Sequence, residues 1–292
     1  MARGLDHVVH AVRDLEGAAE LYRRLGFTVG ARNRHPWGTH NHIVQLPGFF
    51  IELLTVAEPE KLGDDGISEL FGKFNRDFLA QGEGLSLLIL ESQDAQADAD
   101  KFAEAGIAAS EPLRFARDGK RPDGSTVKLV FSLTFAANAA ASAMRFATCQ
   151  QHYPENFWNP AFQRHANGAS GIAGVVMVAG KPADHRFFLS SYSGVPEIDY
   201  GPGTLSVATP RGEIAIMDPV GFRSRFGSAA PATTSGIRLA AIRFVVADLD
   251  AAAEVLRAAN VTFAESAGQI VIGGGTAMGA TLVFEAGAQP QR

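Results

Sequence analysis

The sequence predicts an α+β protein made of four strand–helix–three-strand (βαβββ) units that form two domains. Three observations carry this. Segments near opposite ends match almost letter for letter: residues 11–23 read AVRDLEGAAELYR and residues 245–257 read VVADLDAAAEVLR. Each follows an apolar strand-like run, 5–12 and 239–246, and each is followed by short β-rich runs separated by turn residues. A chain of 292 residues also suits two domains of about 100–200 residues each.

The repeated segment reads as a helix. Asp14 and Asp248 stand where an N-cap carboxylate accepts an otherwise unpaired backbone N–H. Leu15, Ala18, Tyr22 and Leu25 share one helical face, and Gly26 or Asn260 closes the helix where left-handed backbone is easiest. In the first unit strands follow at 27–31, 41–46 and 49–56, with Leu46-Pro47-Gly48 as the turn between the last two. In the final unit they follow at 261–264, 269–272 and 281–285. A second unit runs through a strand at 85–90, a helix at 94–105 and strands at 127–135 and 145–151. A third runs through 172–178, a helix at 182–191, and strands at 204–209 and 213–217. Residues 67–79 have the apolar spacing of an extra helix, 150–170 read as the inter-domain linker, and 226–237 as a flexible surface loop. The domains are therefore expected at 1–160 and 161–292.

Composition excludes several partner classes. With a formal net charge of −5 and no Lys/Arg run, nucleic acid and anionic membrane are poor partners. No apolar stretch approaches the roughly 18 residues of a transmembrane helix. The N-terminus enters a strand pattern at once, which leaves no room for a signal peptide. The single cysteine, Cys149, has no internal disulfide partner and fits a reducing, cytoplasmic setting, where it reads as core filler. The Gly-rich run 272–276 lacks the GK[ST] ending of a phosphate loop, so no nucleotide cofactor is expected.

LDHVVHAVRDLEGAAELYRRLGFTV, RHPWGTHNHIVQL and FFIELL in the first unit, with RHANGASGIAGVVMV at 164–178, resemble the glyoxalase-like branch of the vicinal-oxygen-chelate superfamily. That superfamily includes glyoxalase I, extradiol dioxygenases and thiol-transferring antibiotic-resistance proteins. The resemblance implies two tandem glyoxalase-like half-barrel domains. It also implies a cup, closed by two units, around a divalent metal held from the first and last strand of each unit. It says little about substrate, because the fold hosts many reactions.

Carried onto this chain, the first unit offers His7 and Glu52, and imidazole with carboxylate suits Zn, Ni, Mn or Fe. Glu52 shares a strand face with Phe50 and Leu54, and a carboxylate in so apolar a strand needs a partner. The second unit departs from the pattern: Ser86 falls at the first-strand position and Gln151 at the last-strand one. The third has Gly174 and Ala215, and the fourth has Ala241 but keeps Glu285. If units 1 and 2 close together, the ligands are His7, Glu52 and Gln151; if units 1 and 4 do, they are His7, Glu52 and Glu285. The competing reading leaves His7 and Glu52 as a hydrogen-bonded remnant in a cup that binds ligand without metal.

The cluster at 34–42 places His35, Trp37, Thr39 and Asn41 at the rim of a substrate pocket, and His152 and Trp158 stand near its mouth. His10 is expected on the face opposite His7, against the helix. Two functions remain open. One is a metal-assisted lyase or isomerase acting on a small oxygen-rich metabolite, with Glu52 moving a proton. The other is a metal-free binding or sequestration protein using the same cup. In either case the second half, depleted at Gly174, Ala215 and Ala241, reads as architectural, with room for a homodimer face.

Overall fold

The computed structural model describes residues 1–64, 66–120 and 124–287 of the chain. The predicted architecture is present: two tandem domains, each a curled eight-stranded sheet whose unit helices lie on its outer side. The first sheet is built from β1 (Leu5–Ala11), β2 (Asn33–Arg34), β3 (Thr39–Leu46), β4 (Phe49–Val56), β5 (Gly84–Ser92), β6 (Leu113–Lys120), β7 (Thr126–Ala136) and β8 (Arg145–Gln151). Its spatial order is β2-β3-β4-β1-β5-β8-β7-β6. The second uses β9 (Ala169–Val178), β10 (Asp199–Gly201), β11 (Thr204–Ala208), β12 (Glu213–Met217), β13 (Arg238–Val246), β14 (Ala264–Ser266), β15 (Gln269–Ile272) and β16 (Thr281–Ala286), in the order β10-β11-β12-β9-β13-β16-β15-β14. In each sheet two half-units join through a central antiparallel pair, β1 with β5 and β9 with β13. Unit 1 therefore closes with unit 2 and unit 3 with unit 4, which disposes of the unit 1–unit 4 alternative.

Helix α1 (Leu15–Arg24) forms as its caps dictate: the Asp14 carboxylate accepts from the Gly17 N–H, and Gly26 takes φ +85° beyond the last turn. The extra helix between the halves is real but composite, a π-helical turn (Ser68–Lys73) running into α2 (Phe74–Gln81). Helix α3 (Ala95–Glu104) is capped by Asp94. The linker contains a single turn of helix, α4 (Pro154–Phe157). The second half adds α5 (Arg186–Ser193), α6 (Pro219–Phe226) and α7 (Leu249–Ala258), the last capped by Asp248, with Asn260 at φ +51°.

Three local expectations are corrected. Residues 27–31 run beside β3 through one backbone hydrogen bond, Gly30 N–H to the Ile43 carbonyl, and the paired residues come later, at Asn33–Arg34. Strand β6 was missed because its sequence, LRFARDGK, reads as a polar turn. Helix α6 was missed because Pro219 and Gly221 resemble loop punctuation, although Pro is favourable in a first helical turn.

The outer faces of both sheets share one core with the helices. Phe27 packs on Phe244 and Phe284 at 5.1 and 5.9 Å between centroids. The Tyr192 hydroxyl lies 2.7 and 2.8 Å from the carbonyls of Leu88 and Ala147. Each domain thus covers the outer face of the other, leaving the inner faces to form the cups. Among the described residues no helix is long and apolar enough to cross a membrane.

Candidate functional site in the first cup

The inner face of the first sheet carries a cavity of about 50 Å³ whose lining includes His7, His35, Asn41, Glu52 and Arg117. Aromatic rings wall it: Phe50 and Phe131 from the sheet floor, Trp37 and Phe115 from opposite sheet edges, and Phe71 from the π-helical turn.

The histidine is pre-oriented. His7 stacks on Phe50 at 4.2 Å, and its Nδ1 lies 2.6 Å from the Asp6 carboxylate. A carboxylate only accepts, so Nδ1 is the donor of this pair. Gln151 holds the other Asp6 oxygen through Nε2 at 3.0 Å, while its own Oε1 is buried with no partner among the described residues.

The glutamate ends a one-way relay. Arg117 Nη1 donates to Asn33 Oδ1 (3.2 Å), Asn33 Nδ2 to Asn41 Oδ1 (2.9 Å), and Asn41 Nδ2 to Glu52 Oε1 (2.5 Å). A guanidinium can only donate, so it fixes the orientation of both amides and delivers an N–H to Glu52. Burial pushes the Glu52 carboxyl above the usual carboxylate range. The His7 side, Asn41 and Arg117 pull the other way.

His35 lies 3.9 Å from the same oxygen, but burial, helped by the Arg117 and His40 charges, lowers its pKa to about 3. It is neutral at ordinary pH, so this is no ion pair. Its Nδ1 is bonded to Thr39 Oγ1 (2.8 Å), and its ring stacks on Trp37 at 4.6 Å. Cys149 also lines the cavity, with its thiol pushed up by burial and the nearby Asp6 and Glu52.

His7, His35, Trp37, Asn41 and Glu52 are thus brought together as the sequence suggested, and Thr39 stands behind His35 as its support. The others fall elsewhere. His152 bonds Ser132 Oγ at 2.9 Å, away from the cavity lining. Trp158 packs behind Phe50 and Phe157, and Phe157 takes the lining position. Glu285 belongs to the second sheet, where it pairs with Arg243 at 2.7 Å. Ser86 is buried and donates to Asn75 Oδ1 at 2.7 Å, outside the cavity lining. Sequence reasoning missed Asp6, Phe115 and Arg117. Asp6 was legible as the neighbour of His7, whereas the other two were lost with β6.

Register decides whether a superfamily-type metal fits. Leu87 stands as far before the capping Asp94 as His7 does before Asp14. Glu52 pairs with Val9, two past His7, and Ala147 pairs with Ile89, two past Leu87. The unit 2 counterparts of His7 and Glu52 are therefore Leu87 and Ala147, not Ser86 and Gln151. By the same reasoning the unit 4 counterpart of Glu52 is Val283, which pairs with Arg243 two past Ala241, and not Glu285. Two of the four ligand positions in the first cup are aliphatic. Among the described residues no group of three or more His, Cys, Asp and Glu is placed to hold a metal ion. Catalytic metal sites ordinarily have three protein ligands, so the residues present do not fit a resident metal.

A family model described as a glyoxalase-like domain matches residues 5–192. The chain belongs to the glyoxalase-like domain family. It is a member of the vicinal-oxygen-chelate superfamily, as the resemblance implied. Among solved structures, a hypothetical protein from Staphylococcus aureus is similar at a TM-score of 0.69 and 13% identity, covering 97% of this chain and 99% of its own. A triple mutant of 4-hydroxymandelate synthase from Streptomyces coelicolor is similar at 0.61 and 13%, covering 99% and 94%. At that identity the likeness is one of fold. No curated protein matches the sequence.

Proposed function

We propose that this glyoxalase-like protein recognises a small molecule in its first cup without a resident metal. One observation carries the reading: Leu87 and Ala147 stand at the register positions of His7 and Glu52, so the donor set is halved. What remains is a site for hydrogen bonding and proton handling. His7, oriented by Asp6, contributes its imidazole to the cavity lining. Glu52 tends to keep a proton because it is buried, and Asn41 holds it in place. Aromatic walls give such a site affinity for an apolar body, and the few polar groups fix its orientation.

A second reading, a metal-assisted lyase or isomerase, is favoured by one feature, the Asp6–His7 contact, since ligating imidazoles usually donate their other N–H to a carboxylate. One experiment separates the two. Untagged protein is titrated with Zn, Mn, Ni and Fe(II), and bound metal is counted in wild type, His7→Ala and Glu52→Ala. The expected result is substoichiometric metal that neither substitution changes. Near-stoichiometric metal lost in both variants would overturn the proposal.

A further inference from the structure

The first sheet's two free edges nearly meet. β2 is the first strand in the order and β6 the last, yet Arg117 on β6 donates to Asn33 on β2, and Phe115 packs against Trp37 at 5.1 Å. Outside this contact lies a groove of about 290 Å³ that includes Asn33, Gln45, Asp118 and Leu129. Arg117, Ile43 and Phe157 line both the groove and the inner cavity, and so form the partition between them. β2 is two residues long, so this side of the partition is lightly held.

The cavity is too small for a metabolite. About 30 Å³ is one water's share of the liquid, and a cavity of about 150 Å³ accepts benzene. At about 50 Å³ the cup admits a ring only if a wall gives way, and the wall it shares with the groove is this partition. Arg117 is also under-used. Among the described residues its guanidinium makes one hydrogen bond, to a neutral amide, and no ion pair. Trp37 Nε1–H, on the same cavity, is buried without a partner among the described residues. A half-buried cation with spare donors, beside aromatic walls, suits an anion carried on a flat apolar body.

We propose that Arg117 is the anion-binding residue of the cup and that its hydrogen bond to Asn33 is the closed entrance. The ligand is then a small aromatic carboxylate that displaces Asn33 from Arg117 and seats its ring among Trp37, Phe115 and Phe131. The inference rests on the metal-independent reading above and supplies its ligand class. A carboxylate replaces the Asn33 carbonyl with a two-pronged, charge-assisted contact, and the freed Asn33 no longer ties the two edges together.

The test is calorimetric titration of the intact protein at low ionic strength with phenylacetate and with phenylacetamide, its neutral isostere. Wild type is expected to favour the carboxylate at least tenfold, a comparison that needs no variant. Arg117→Gln should abolish the preference, with melting curves confirming that it folds. Asn33→Ala removes the competitor and should tighten phenylacetate binding severalfold. Equal affinity for the two probes, binding of neither, or a preference that survives Arg117→Gln overturns the proposal. Failure of the underlying reading has a separate signature: stoichiometric metal lost in His7→Ala, whatever the probes do.

Discussion

The two domains repeat one architecture and fill their cups in opposite ways. In the first, the segment joining the halves lies across the cup, placing Ile67 and Phe71 on a cavity that still holds Glu52, His35 and the His7–Asp6 pair. In the second, the corresponding segment is α6, and it drives Phe222 and Phe226 into the cup against Val176, Met217 and Val283. The ligand positions differ in the same sense: His7 and Glu52 in the first unit, Gly174 and Ala215 in the third. Arg243, beside the plug, is neutralised on both sides by Glu213 and Glu285, whereas among the described residues Arg117 in the first cup has one hydrogen-bond partner, a neutral amide. A plugged, charge-balanced cup contributes stability. A cup with a cavity, a buried carboxyl and a cation that has no ion pair among the described residues forgoes part of that stability, and such unsatisfied groups are where binding sites are found.

The largest expected effect tests the plug. Phe222→Ala should destabilise the protein by about 3–5 kcal/mol, because a fully buried ring leaves a cavity behind. Phe71→Ala borders an existing cavity and should cost about half as much, with denaturant unfolding as the measure. Equal losses would break the contrast between plug and lid. The two arginines sharpen it further. Arg243→Met strands two carboxylates and should cost about 2–3 kcal/mol, at the low end for a broken buried pair because Glu213 is about one-third exposed. Arg117→Gln strands no charge and should change stability by less than about 1 kcal/mol.

The pH dependence comes next. The folded-state pKa of His35 is depressed to about 3, so the unfolded chain takes up protons first as pH falls below about 6.5, and stability drops through that window. Between pH of about 7.5 and 5.5 this amounts to about 1 kcal/mol, which His35→Gln should abolish in melting curves run across pH. Glu52 has the opposite sign. Its folded pKa is raised, so the native state holds the proton longer and stability is lost as pH rises above about 4.5. Glu52→Gln should therefore match wild type in acid and exceed it at neutral pH; a variant equally stable or weaker at neutral pH would contradict the burial argument.

The closeness of His7 to Glu52 came from the family resemblance; the sequence by itself determined the repeat, the helix caps at Asp14 and Asp248, and β4 in full. All of these follow from local spacing: a cap needs its carboxylate a few atoms from the first amides, and strand alternation sets the face of each residue. It also brought His35, Trp37 and Asn41 to one rim, because they lie within one short stretch leading into β3. Tertiary structure alone decided which units pair, and so sent Glu285 to the other cup. It also set the register that puts Leu87 and Ala147, rather than Ser86 and Gln151, at the second ligand pair. The meeting of Arg117 with Asn33 was equally out of reach: they are far apart in the chain, and only the curl of a whole sheet brings its first and last strands together. Sheet closure is a sum of twist over every strand, a property no local window of sequence contains.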